Sequence, residues 1–173
     1  PAQAIRDGIA YVTEDRKIDG FFETMGVFEN VSLGWLAKWA KGKFFVSKKA
    51  MKPKVKELEK KLAIRGIGKF QTVHKLSGGN QQKVVIAKTL IQEPSLVIFD
   101  EPTRGVDVGA IAEIREIIRS IADSGAGVVV ISSYLPEILD VSDRILVAKG
   151  GTIVAEFSRD EATAEKILHA AIH

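Results

Sequence analysis

Two stretches of the sequence set chemistry-bearing side chains beside backbone that can hold a charged ligand. The first is Leu76-Ser77-Gly78-Gly79-Asn80-Gln81-Gln82-Lys83. A serine and two glycines at the start of a helical run make an anion site. The first N–H groups of a helix lack an internal acceptor and lie at the positive end of its dipole, and glycine lets a ligand approach the backbone closely. The second stretch is Asp100-Glu101, at the carboxyl end of the apolar run Leu96-Val97-Ile98-Phe99. Open α/β sheets bind their ligands at such strand ends. A buried carboxylate is costly without a metal or a hydrogen-bond network, so Asp100 reads as facing a Mg²⁺ ion and Glu101 as facing a water molecule. An ordinary capped helix and a strand that merely ends in two solvated acids are the plainer readings. They weaken because a single helix separates the two stretches.

The positioning elements follow from apolar pattern and punctuation. Val84, Val85, Ile86, Ala87, Leu90 and Ile91 continue the first stretch as a helix that Pro94 stops. Leu96–Phe99 and Val128–Ile131 carry no polar alternation and read as strands buried on both faces of a parallel sheet. Ile9–Val12 reads as a short strand entering the polar turn Thr13-Glu14-Asp15-Arg16. From Gly20 to Gln71 the pattern is helical: one segment opens at Glu29-Asn30, and after the link Gly42–Phe45, Ser47 can cap the next. Met51, Val55, Leu58 and Leu62 form one stripe of that helix, which either bends or starts at Pro53. Ile111, Ile114, Ile117, Ile118 and Ile121 line a further helix ended by Ser124-Gly125. A short helix from Pro136 to Val141, strands around Ile145–Val147 and Ile153–Glu156, and a helix from Asp160 complete the chain. The alternation indicates α/β with a mainly parallel sheet.

These stretches together resemble the ATP-binding cassette (ABC) ATPases. Leu76 to Gln82 resembles the family's signature, Val97 to Glu101 its Walker B strand, and Pro102 to Asp107 its D-loop. Within the family the chain is most similar to the second cassette of the sugar-import branch (ribose, galactose or xylose type), whose ATPase subunit carries two cassettes in one polypeptide. Tyr11 to Lys17, Leu76 to Lys83, Asp100 to Ala110 and Ser132-Ser133 carry that likeness, which extends over nearly the whole chain. It implies a P-loop NTPase-like cassette: a helical signature subdomain at about 20–80 inserted into a RecA-like core of 1–19 and 81–173. Since the chain begins at Pro1 and has no G-x-x-x-x-G-K-[ST] loop to hold phosphates, it is expected to be the N-terminally truncated back part of a cassette. Exposed sheet edge and core are then expected to favour self-association.

The resemblance also implies ATP and Mg²⁺ as ligands and assigns roles. Ser77, Gly78, Gly79, Asn80 and Gln81 would contact the γ-phosphate of ATP held by the opposite cassette. Asp100 would hold Mg²⁺ through its water shell and Glu101 would polarise the attacking water. Asp107 would lie at the cassette–cassette contact, or cap the helix opening at Val108, or both. Arg104 reads as a surface or interface charge. Two departures stand out. Glu14 occupies the position of a glutamine that senses the metal and attacking water, and Ser133 that of the switch histidine. A serine hydroxyl is shorter than imidazole and uncharged, and losing one positioned transition-state donor costs about 10²–10³ in rate. This cassette's own site is therefore expected to be slow or silent, its signature completing the partner's.

Composition bounds the rest. In 173 residues, 46% hydrophobic content supports one domain with a substantial core. The absence of cysteine excludes disulfides and thiolate-held metals and fits a reducing cytoplasm. No apolar run reaches the length of a membrane span. The net charge of +3 hides ten lysines between Lys38 and Lys61, set against Glu57 and Glu59, so the remainder is acidic. That run reads first as a solvated helix face, second as lying near an anionic inner membrane surface, and last as a nucleic-acid surface, whose arginine and aromatic interleaving it lacks. His74, His169 and His173 have no ligand spacing. The expected partners are a second cassette, transmembrane permease subunits and, indirectly, a sugar-binding protein, at the cytoplasmic face of the membrane and without nucleic acid. Glu14 with Gly20-Phe21-Phe22 is the nearest candidate for the permease contact, although both phenylalanines could equally be core residues. The alternatives are a non-transport ABC ATPase of DNA repair or translation and, for the chain alone, a catalytically inactive interaction module.

Overall fold

Strands β1 (Ile9–Val12), β2 (Leu96–Asp100) and β3 (Gly127–Ile131) pair in parallel in that order. The computed structural model describes residues 2–39, 48–66 and 71–173. Its register sets Tyr11 beside Ile98, Ile98 beside Val129, and Asp100 beside Ile131. Side chains alternate across a strand, so Val12, Val97 and Phe99 point one way into the core, with Val128 and Val130 packed against them. Helices α4 (Gly78–Leu90) and α5 (Val108–Asp123) supply Val84, Val85, Ile86, Ile114 and Ile118 to the same core.

The other face of the sheet does not match the expectation of strands buried on both sides. Tyr11 is 54% exposed, Val129 45% and Ile131 50%, with Ile98 half-buried between them. An unbroken apolar run removes the polar alternation of a one-sided strand, but burial needs a covering element, and α4 and α5 both contribute to the opposite side.

The helical block begins at α2 (Val27–Trp39), two residues ahead of Glu29, and continues with α3 (Lys48–Lys61). Met51, Val55 and Leu62 are buried and Leu58 packs against the core, so the stripe is the inward face. Pro53 sits inside α3, which therefore does not start there. Ser47 and the Gly42–Phe45 link lie outside the described residues. Asn30 is fully buried and holds the segment before α2: its Oδ1 accepts from Phe22 N at 2.7 Å and its Nδ2 donates to Phe22 O and Gly26 O at 3.1 and 3.0 Å. Phe21 enters the core at 5% exposure, while Phe22 stays 55% exposed. At Gly34 a side chain is impossible without movement, since a Cβ would come within 1.8 Å of the Lys88 carbonyl oxygen of α4.

A helix α1 (Ala2–Arg6) precedes β1. The chain divides into two compact units, Pro1–Ile131 and Ser132–His173. The second holds α6 (Leu135–Val141), the antiparallel hairpin of β4 (Arg144–Lys149) and β5 (Thr152–Ser158), and α7 (Ala164–Ile172) around Ile145, Val147 and Ile167. Gly150 and Gly151 turn the hairpin with φ of 57° and 82°, backbone that favours glycine. α7 starts at Ala164 rather than Asp160, because the Thr163 hydroxyl supplies the cap, accepting from Lys166 N at 3.2 Å. Among the described residues no helix is long and apolar enough to cross a membrane.

Candidate functional site

Ser77 is the N-cap of α4. Its hydroxyl accepts from Asn80 N at 3.4 Å and from Asn80 Nδ2 at 2.9 Å, and Asn80 Oδ1 in turn accepts from Arg65 N at 2.8 Å. Ser77 itself remains exposed. Gln81 turns the other way: it is buried, and its Nε2 donates to His74 O and Leu76 O at 3.2 and 3.0 Å. The helical phase puts Gln81 on the core side of α4, so its side chain supports the turn from beneath.

The two glycines of the turn have a packing role that spacing alone does not reveal. A Cβ on Gly78 would sit 2.9 Å from Gly105 O and 3.1 Å from Arg16 Nη2, and one on Gly79 would sit 2.5 Å from Ala110 Cβ. The start of α4 thus lies against the loop 102–107 and the start of α5. An open cleft of about 290 Å³ lies there, lined by Arg65, Ser77, Asn80, Lys83, Asp107 and Glu113 among others. Asp107 occupies the N-cap position of α5 but makes no capping bond with its side chain; the carboxylate is exposed at the cleft. The expected capping role is therefore filled by backbone geometry only, leaving the acid outward.

At the end of β2 the Tyr11 hydroxyl donates to Asp100 Oδ2 at 2.5 Å. The hydrogen bond to Asp100, with burial and the carboxylate's charge, raises the Tyr11 pKa, so the phenol stays protonated as the donor. Glu101 has φ of 44°, a left-handed conformation uncommon outside glycine. Its N–H donates to Ile131 O at 2.8 Å and its carbonyl accepts from Arg104 N at 3.0 Å. The main chain thus turns sharply between Asp100 and the following loop. Glu14 and Arg104 form an exposed ion pair, so both residues are engaged across two loops. Among the described residues no three His, Cys, Asp or Glu side chains cluster to hold a metal. A hydrated Mg²⁺ needs only one or two carboxylates beside the phosphates, and Tyr11 takes one of Asp100's two oxygens, so Asp100 fits that role. Ser133 is exposed in the second unit, two residues past β3.

Three supporting residues escape sequence reasoning. Tyr11 reads there as a strand residue, and Lys83 as the polar end of the signature. Lys83 is 3% exposed; its ammonium donates to Glu113 Oε2 at 2.6 Å and to Ala63 O at 3.3 Å. Arg16 is 9% exposed and donates through Nη1 to Arg104 O at 2.7 Å and through Nη2 to Gly105 O at 2.6 Å. Its Nε reaches Gln81 Oε1 at 3.4 Å. Only the place of Arg16 within the Glu14-Asp15-Arg16-Lys17 run hints at it, and a charge run reads first as solvated.

The Lys83–Glu113 contact carries a pH signature. Hydrogen bonding and charge from Lys83 lower the Glu113 pKa. The stabilisation is therefore complete above the unfolded value of about 4.3 and disappears as pH falls through the folded one. Glu113→Gln is expected to cost about 1–2 kcal/mol at neutral pH. Urea midpoints of variant and parent should converge on acidification; a gap that persists in acid would contradict the charge-based account.

The parallel α/β sheet, the helical block and the glycine turn seated on the strand-end loop define the fold of an ATP-binding-cassette ATPase. A family profile described as "ABC transporter" matches residues 1–104, and the chain belongs to that family. It is 48% identical over 168 residues to the ribose import ATP-binding protein RbsA 2 of Agrobacterium fabrum (strain C58), covering 97% of this chain and 33% of that protein. It is 47% identical over 169 residues to the xylose import ATP-binding protein XylG of Geobacillus kaustophilus, again covering 97% and 33%. The chain thus spans about a third of the length of these relatives. Among solved structures, a nucleotide-free ATP-binding cassette from an ABC transporter superposes with TM-score 0.81 at 21% identity, covering all of this chain and 72% of the other. A dimeric post-hydrolysis cassette bound to ADP and Pi gives 0.74 at 24% identity, covering 89% and 64%. These two likenesses concern the fold.

Proposed function

We propose that this chain belongs to the ATP-binding subunit of a bacterial monosaccharide importer, which couples ATP binding and hydrolysis to transport. The observation that carries the reading is the outward signature turn: Ser77 is exposed and oriented by its bonds with Asn80, beside the exposed Asp107 and an open cleft. The names of the similar ribose and xylose import proteins support sugar as the cargo. The partners are a second cassette, membrane permease subunits and, through these, a sugar-binding protein, at the cytoplasmic membrane face.

The chain's own residues divide into two sets. Ser77, Gly78, Gly79 and Asn80 present a hydroxyl, an amide and first-turn N–H groups to the γ-phosphate of ATP held by the opposite cassette, with Gln81 supporting them from the core. Asp107 meets the opposing cassette. On its own side, Asp100 would hold hydrated Mg²⁺ and Glu101 would orient a water. Mg²⁺, when bound, offsets charge on the phosphate oxygens. Glu14 is drawn into its pair with Arg104, and at the sequence position where the resemblance places the switch histidine, Ser133 carries only a short neutral hydroxyl. This site is therefore the slow partner, and the signature is the chain's main contribution to turnover.

The test is ATPase activity of the full-length protein assembled with its permease. Turnover is expected to rise when sugar-loaded binding protein is added. No response to binding protein, together with ATPase stimulation by DNA or ribosomes, would overturn the reading in favour of a non-transport ATPase.

A further inference from the structure

We infer that Arg16 is a clamp that makes the Glu14–Lys17 turn, the signature helix and the loop 102–107 one rigid body, so that displacement of the turn reaches the D-loop. The inference rests on the reading above, in which the turn faces the permease and Asp107 faces the opposing cassette.

The guanidinium acts as a two-pronged fork. Nη1 and Nη2 donate to the successive carbonyls of Arg104 and Gly105, and Nε turns to Gln81 on α4. Arginine offers this planar set of donors; lysine, with a single ammonium, does not. The slot is shaped for it. A Cβ on Gly78 would lie 3.1 Å from Nη2, and one on Gly105 would lie 3.5 Å from both Nη1 and Nη2. Gly105 also has φ of 63°, which glycine adopts without strain. The glycines on either side thus leave the space that the guanidinium fills.

Burying the cation is costly, and burial lowers the Arg16 pKa, while the charges of Asp15 and Asp107 oppose that shift. The arginine side chain enters the interior because the turn is itself fixed: Asp15 Oδ1 accepts from Lys17 N and Ile18 N at 2.9 and 3.2 Å. From the exposed side, the Glu14–Arg104 pair ties the same turn to the same loop. Two crossed links of different chemistry therefore join segments about 90 residues apart in sequence. Arg16 is a positioning residue here, acting through the D-loop and Gln81.

The test uses spin labels at the exposed positions Lys17→Cys and Val108→Cys in the full-length protein, this chain having no cysteine of its own. One narrow distance is expected with Arg16 and a broadened one with Arg16→Gln. Arg16→Lys, which keeps the charge but not the fork, should also broaden it. With permease, the ratio of stimulated to basal turnover should fall roughly 2- to 30-fold in Arg16→Gln, with the KM for ATP unchanged. An unchanged distance overturns the clamp, and a broadened distance with an unchanged ratio overturns the coupling. If Arg16→Gln does not fold, Arg16→Lys decides by the same two readings. Absence of any stimulation in the parent protein would instead count against the proposed function, while the distance would still report on the clamp.

Discussion

Gly34→Ala is expected to destabilise the protein by about 3 kcal/mol or more, at the upper end of overpacking costs. Two effects oppose each other. Alanine favours the helical state over glycine by about 1 kcal/mol, which taken alone predicts a stabilised α2. The added methyl would, however, lie 1.8 Å from the Lys88 carbonyl oxygen and 3.0 Å from Ile91 Cγ2. The first neighbour is main chain in the last turn of α4 and cannot swing aside as a side chain would, so α2 and α4 must separate and loosen the core that both share. The clash therefore outweighs propensity. Gly109→Ala, near the start of α5 where an added methyl would meet nothing within 4 Å, isolates the propensity term and should be neutral or slightly stabilising. Urea unfolding of both variants decides the matter; equal midpoints would show that α2 and α4 do not pack as described.

Ser77→Arg is expected to lower turnover of the full-length protein by about 10²–10³, the cost of removing a positioned transition-state donor. Ser77 is exposed at the cleft, so the larger side chain meets no core. Its removal as an N-cap costs only about 1 kcal/mol of stability, the bonds lost being the two that its hydroxyl accepts from Asn80. A folded protein with nearly normal melting and nearly absent turnover is the expected combination. A variant that unfolds would assign Ser77 to structure alone.

Much of the fold was legible because its signals are local. Pro94 marked the end of the signature helix, which closes at Leu90, and the Met51–Leu62 stripe identified the buried side of α3. Ser77 with its two glycines marked the start of α4, where the serine proves to be the cap that the sequence offered only as the plainer reading. What could not be read depended on through-space partners. Arg16 appears in sequence as one charge in a polar run, yet it is buried because carbonyls almost ninety residues away accept its protons. Gly78 and Gly79 suggest ligand approach, but their missing side chains are also required by Gly105, Arg16 and Ala110. Val129 and Ile131 read as doubly buried because the apolar pattern records the residue's character, not the element that covers it. Asp107 at a helix start suggests a side-chain cap, whereas the carboxylate faces outward. Local periodicity reveals elements; the sites built between them depend on which side each element presents.

The most direct test of the central claim is ATPase turnover of the full-length protein with its membrane subunits, comparing Glu101→Gln with Ser77→Arg. If this cassette serves mainly through its signature, Glu101→Gln should retain most of the activity while Ser77→Arg abolishes nearly all of it. Loss of turnover in Glu101→Gln, with Ser77→Arg still active, would contradict the account: the Glu14 and Ser133 replacements would then be tolerated, and the chain's own site would do the hydrolysis.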